Sequence, residues 1–266
     1  MSRPQFLRPC LIGVVHLLPT PGAPRFAGSF EAVLAHARAD ARTLVEGGVD
    51  AVIVENFGDT PFYPGPVPAE TIASLALAVA AVRELAGARP VGVNVLRNDV
   101  RAALGIAAAT GAAFVRVNVH TSAAVTDQGI VEGRAWETVR ERGRIAPDVA
   151  ILADAHVKHA TPLSREPLAE SVHDLVLRAM ADGVIVSGPA TGRPPSAERV
   201  REAREAAGSV PVLVGSGLDA RNARELLAHA TGAIVGTALK HEGRVEKPVD
   251  IARVRALRKL FDEVGR

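Results

Sequence analysis

The sequence predicts an α/β fold, a single (β/α)8 TIM barrel built from residues 1–266. Three observations lead there. Eight short apolar runs alternate with helix-like stretches, the pattern of a parallel sheet whose crossovers are helices. The 266 residues suit the roughly 250 that such a barrel needs. The last two units, within PVLVGSGLDARNARELLAHATGAIVGTALK, each run from a β-branched strand into a glycine turn, where a buried parallel strand would surface. An open doubly wound sheet, the alternative, would normally use fewer strands.

The first strand is Leu11 to Val15, with His16 at its end. Pro19, Pro21 and Pro24 stiffen the next loop and keep it out of a helix. A helix from Phe30 to Glu46 closes at Gly47-Gly48. Strand two, Ala51 to Val54, delivers Glu55 and Asn56 into a second proline-rich loop, and helix two covers Ala69 to Leu85. Strand three, Val91 to Val95, precedes an alanine-rich helix that ends at Thr110-Gly111. Strand four, Ala113 to Val117, opens into a polar loop through Gly133, and Trp136 to Arg142 is helical. Strand five is Val149 to Ala153, followed by a helix over Glu166 to Ala181. Strand six is Val184 to Val186, after which Ser196 caps a helix to Ala207. Strand seven, Val212 to Val214, leads to a helix over Ala220 to Ala228 with Asp219 as its N-cap. Strand eight is Ala233 to Val235, and the apolar spacing from Pro248 to Val264 is that of a last helix packed on the barrel.

Hydrophobic residues at 48% and charged residues at 23% are enough to fill a sizeable core without suggesting disorder. The net charge is only +2, aromatics are 3%, and no basic stripe appears, which argues against a nucleic-acid partner. The single Cys10 rules out an intrachain disulfide framework and suits a reducing compartment. The start, MSRPQFLRPC, has no apolar signal core, and no run reaches about 18 apolar residues, so no integral membrane segment and a cytoplasmic location are expected. Peripheral membrane contact stays open, as does a homo-oligomer formed through the outer helices.

Function should lie at the C-terminal mouth, since polar strand ends in such a barrel point to its site. Here the ends carry His16, Glu55, Asn94, Asn118 with His120, Asp154 with His156 and Lys158, and Ser187. In ADAHVKHA, a strand continuing extended would put Asp154, His156 and Lys158 on one face. A carboxylate, an imidazole and an ammonium so placed suit acid/base chemistry. Lys158 could instead supply a Schiff-base amine, pair with Asp154, or contact a phosphate. The glycine turns after strands seven and eight, Gly215, Ser216, Gly217, Gly236 and Thr237, are where such barrels hold a phosphate on backbone N–H groups. Gly188 and Thr191 in the loop after strand six join them, Gly188 with the phosphate and Thr191 with the substrate. No cofactor is expected; a divalent metal on His16, Glu55, His120, Asp154 and His156 is the alternative, although neither an HxH pair after strand one nor HExxH occurs.

The stretches GVVHLLPTPGAP, DAVIVENFGDTPF, VGVNVLRND, ADAHVKHA, VGSGLDARNA and IVGTALK, in this order from about Leu11 to Arg258, resemble the BtpA/SgcQ family. The resemblance implies a barrel related to the phosphate-binding barrels. It also implies two functional settings, a membrane-extrinsic factor in photosystem I biogenesis and sugar-phosphate metabolism. The motif positions carried over add Arg97, Asn98 and His159 to the residues above, and Ala238 stands where a hydroxyl residue is expected. The main expectation is an enzyme for a small phosphorylated sugar or nucleotide-like metabolite, working by lyase or isomerase chemistry. A non-catalytic assembly factor and a metal-dependent hydrolase are the alternatives. The proline-rich loops would wall the pocket at low ordering cost.

Overall fold

The computed structural model describes residues 3, 4, 6 and 9–265. The chain runs β1 (Cys10–His16), α1 (Phe30–Gly47), β2 (Ala51–Glu55), α2 (Ala69–Ala86), β3 (Val91–Asn94), α3 (Val100–Thr110), β4 (Phe114–Val117), β5 (Ala123–Thr126) and β6 (Gly129–Glu132). It continues through α4 (Ala135–Ile145), β7 (Ala150–Ala155), β8 (Ala160–Pro162), α5 (Leu168–His173), β9 (Gly183–Val186), α6 (Ala197–Ala207), β10 (Val212–Val214), α7 (Ala223–Leu227), β11 (Gly232–Val235) and α8 (Ile251–Val264). Strands β1, β2, β3, β4, β7, β9, β10 and β11 close into a parallel barrel in that order. The eight expected strands are therefore all present. Each lies buried on both faces, which is why each reads as an unbroken apolar run.

Period-two alternation divides these strands between two cores. Outward residues such as Val52, Val54, Val115 and Val117 pack under the helices. Inward residues, among them Ile12, Ile53, Phe114, Leu152, Ile185, Leu213 and Ile234, fill the barrel itself. Phe114 lies across the interior, its ring occupying the space that a Cβ at Gly92 would need. Phe6 closes over it edge-on, with ring centroids 5.4 Å apart. Two residues further along the same inward parity, the side chains turn polar, and that change marks the mouth.

Helix ends follow their caps. Ser29, Asp99, Ser196 and Asp250 each accept a backbone N–H of the helix they precede. Asp219 does not cap α7: its carboxylate takes the N–H and guanidinium of Arg221, so the helix starts later, after Asn222, and is only five residues long. The helix expected from Glu166 begins at Leu168, after Pro167, and gives way to a π-helical turn over Asp174–Arg178.

The polar loop after β4 is not a loop throughout. Its β5–β6 hairpin pairs antiparallel with β8 from the loop after β7, giving a three-stranded sheet that joins two loops at the mouth. Val119, Ala124, Val131 and Val157 form a small apolar cluster beneath it. No helix among the described residues is long and apolar enough to cross a membrane.

Candidate active site

The inward parity that carries Ile53, Phe114 and Leu152 continues to Glu55, Arg116 with Asn118, and Asp154. His16, Asn94 and Ser187 stand at the equivalent level of their own strands, and glycines 215 and 236 occupy it on the last two. At the centre is Arg116, a residue that the sequence reading overlooked. Its Nε and Nη2 donate to Asp154 Oδ2 and Oδ1 at 2.9 and 3.0 Å, and its Nη1 donates to Glu55 Oε1 at 3.2 Å. Asn118 Nδ2 and Ser187 Oγ donate to Asp154, and Asn94 Nδ2 donates to Glu55. The signal was an arginine at the inward position of an otherwise apolar strand.

This network redistributes the expected roles. Asp154 is saturated by Arg116, Asn118 and Ser187, so it neither pairs with Lys158 nor has a free oxygen for a proton shuttle. Burial works to raise the Glu55 carboxyl, but Arg116 above all, then His16, Lys158 and the Asn94 amide, outweigh it and hold Glu55 below the usual range. Lys158 faces the cavity without an ion-pair partner among the described residues. Burial, reinforced by Arg116, pushes its ammonium down to about 8 against the pull of Glu55 and Asp154. The Lys158 carbonyl accepts from Arg97 Nη2 at 2.7 Å, which fixes the backbone that carries it.

His16 is partly buried at the wall of the larger cavity, packed on Phe57 with ring centroids 4.6 Å apart. Burial takes its imidazole down to about 4 despite Glu55, so the ring is neutral at pH 7, and its Nδ1 has no hydrogen-bond partner. Behind it lies a second buried ion pair that the sequence did not reveal. The Lys240 ammonium meets Asp40 of α1, whose other oxygen accepts Val249 N–H at 2.9 Å. This pair ties the loop after β11 to the wall of the barrel.

Two cavities open side by side at the mouth, and Glu55, Arg116, Lys158 and Thr191 line both. The larger, about 680 Å³, extends over Gly215, Ser216, Gly217, Gly236, Thr237 and Ala238, with Arg221 and Arg253 at its rim. The smaller, about 190 Å³, is lined by Asn94, Arg97, Asn118, Asp127 and His159. Among the glycine-turn residues, some have structural duties. Ser216 Oγ donates to Arg193 O and accepts Gly188 N–H, stapling the loops after β9 and β10 together. Gly217, at φ +68, and Gly188 leave room for the Arg193–Pro194 backbone, which a Cβ at either position would overlap.

Two expected residues are not at the mouth. The strand ends at Ala155, and His156 takes φ +54, which breaks the alternation that was to align Asp154, His156 and Lys158. His156 turns outward, its Nδ1 3.1 Å from Arg199 Nη2. His120 lies buried away from both cavities, its Nε2 3.0 Å from Ala179 O. His159, by contrast, reaches Thr191 Oγ1 at 3.0 Å on the rim. Among the described residues no three His, Cys, Asp or Glu side chains gather as metal ligands, so the five-residue set considered above does not converge.

Comparison with known proteins gives the fold and the family. A solved structure described as native KDPGal superposes with a TM-score of 0.61 at 14% identity, over 99% of this chain and 98% of that one. N-(5'-phosphoribosyl)anthranilate isomerase from Pyrococcus furiosus gives 0.59 at 14% identity, over 97% and 100%. At that identity the likeness is one of fold. The photosystem I biogenesis protein BtpA of Synechocystis is 47% identical over 246 residues, 92% of this chain and 85% of that protein. With residues 8–263 also matching the BtpA family as a whole, the chain belongs to the BtpA family.

Proposed function

We propose that the chain is an enzyme acting on a small phosphorylated sugar or nucleotide-like metabolite, with the phosphate in the larger lobe and proton-transfer or lyase chemistry beside Lys158. The observation that carries this reading is the continuity of the large cavity. One space links the glycine turns after β10 and β11 to Lys158, Glu55 and Arg116. Backbone amides and the rim cation Arg253 suit an anion at one end, Arg221 there being already paired with Asp219, and the amine and carboxylate suit a reacting carbon at the other. Superposable barrels named for phosphoribosyl substrates support it by analogy.

A thermal-shift screen with sugar phosphates, nucleoside monophosphates and their unphosphorylated counterparts tests it. Saturation near 100 Kd raises the melting temperature on the order of 5 °C. The shift is expected for phosphorylated compounds only, and Thr237→Asp, which puts a carboxylate into the anion lobe, abolishes it. Equal shifts from the unphosphorylated compounds would overturn the reading. Gly217→Asp is a poorer probe, because any side chain there meets Pro194.

A second reading, an assembly factor like the cyanobacterial relative's name, draws on one feature. Val125 and Ile130, paired across β5 and β6, and the neighbouring Leu163 expose apolar side chains on the outer face of the three-stranded sheet. Under that reading no small phosphorylated compound shifts the melting temperature, and Ile130→Lys disrupts the partner complex alone.

A further inference from the structure

Resting on the phosphate reading above, we propose that Lys158 is a covalent catalytic residue whose amine condenses with the carbonyl carbon of a phosphorylated ketone held across the two lobes. Only four lysines occur in the chain, at 158, 240, 247 and 259, among 31 basic residues. Arginine meets nearly every need for a cation here, including the one at the centre of the site. A guanidinium cannot lose its proton in a protein, whereas an ammonium can, so a lysine at the junction of two cavities offers chemistry that its arginine neighbours cannot.

Its surroundings favour the free amine. Lys240, which is fully buried, is neutralised by Asp40. The carboxylates nearest Lys158 are instead bonded to Arg116, and Arg97 adds a second guanidinium on the side of the smaller lobe. A neighbouring cation is one device that activates a lysine for imine formation, and partial burial of the ammonium is another. The lowering of its ammonium to about 8 agrees with that geometry.

The step balances without a co-reactant. The ammonium gives up a proton, the amine attacks the ketone carbon, and the carbonyl C–O bond breaks. The oxygen leaves as water with two of the three protons first held by nitrogen, and the protonated C=N keeps the third and the positive charge. That cation then draws electrons from the bonds of the adjacent carbon, which fits carbon–carbon cleavage or proton removal there.

Dihydroxyacetone phosphate and pyridoxal phosphate serve as probes, each mixed with the full chain at pH 7, reduced with sodium borohydride, and read by intact mass and peptide mapping. One adduct is expected, at Lys158, formed at least about tenfold faster than at the surface lysines 247 and 259. The free-amine fraction rises by roughly two orders of magnitude when the ammonium falls from 10.5 to about 8, and lower nucleophilicity takes back part of that gain. Lys158→Arg loses the adduct while melting normally; should it fail to fold, the wild-type peptide map still decides. Labelling spread evenly over Lys158, Lys247 and Lys259 overturns the proposal. A raised melting temperature without any adduct overturns the covalent role and leaves the phosphate lobe standing. Equal trapping of unphosphorylated dihydroxyacetone at Lys158 supports the amine and overturns the phosphate reading.

Discussion

Replacing Arg116 with methionine keeps the volume and apolar stem but strands two carboxylates in the barrel. The Arg116 side chain is 2% exposed, and those of Asp154 and Glu55 are 0% and 6%. Three charge-assisted hydrogen bonds go with the guanidinium, and only the neutral donors Asn118 and Ser187 on Asp154 and Asn94 on Glu55 remain. Breaking such a buried network from one side costs about 3–5 kcal/mol. For a chain of this size that lowers the melting temperature on the order of 10 °C. The pH dependence has a definite sign. Glu55 is held below its ordinary range in the native protein, so its stabilising contribution is complete above the unfolded carboxyl value of about 4.3 and fades as pH falls through its native value. In Arg116→Met that contribution is gone and the stranded carboxylates gain from protonation, so the gap to wild type is widest near pH 7–8 and narrows toward pH 5. Melting curves across this range, with Arg116→Met/Asp154→Asn alongside, measure it; the double variant recovers part of the loss. A loss under about 1 kcal/mol, or a gap that widens in acid, would refute the argument.

Lys158→Met should stabilise the protein at pH 7. An ammonium lowered in the native state binds protons less well there than in the unfolded chain, so its cost is full below about pH 8 and is relieved as pH rises toward 10.5. Denaturant midpoints should therefore favour the variant by on the order of 2 kcal/mol at pH 7 and converge with wild type near pH 10; a destabilised variant at pH 7 contradicts the assignment. Lys240→Met leaves the buried Asp40 with only His36, 3.4 Å away, and the Val249 N–H, and about 3–5 kcal/mol of stability should be lost, seen in the same denaturation experiment. His156→Ala leaves binding of phosphorylated ligands within twofold of wild type by calorimetry, because its ring faces Arg199 and not the cavity.

The barrel was legible because each strand is buried on both faces and stops at a polar or glycine residue. Glu55, Asn94, Asn118, Asp154 and Ser187 were legible for the same reason, as polar groups at the ends of apolar runs. Arg116 was not, since the strand was read as an apolar block and its parity was not followed through Phe114. His156 misled through the converse assumption, that alternation persists past the last paired residue; a left-handed backbone there ends it. Asp40 and Lys240 are 200 positions apart, and nothing local to either announces the other. The β5–β6 hairpin was hidden by strands of only four residues each and a Thr126–Gly129 turn that reads as loop.

That hairpin has a consequence for anyone rebuilding the mouth. Thr126 is in register with Ala160, two residues beyond Lys158, and Asp127 of the adjoining turn lines the smaller lobe. The segments after β4 and β7 thus form one cassette, although α4 and β7 lie between them in the chain. Grafting either one alone from another barrel would break the β5–β8 pairing, leaving β8 without its partner strand, and release the lysine's backbone from its register. Recombination between relatives should therefore succeed when both segments come from one parent and fail when a crossover falls between them.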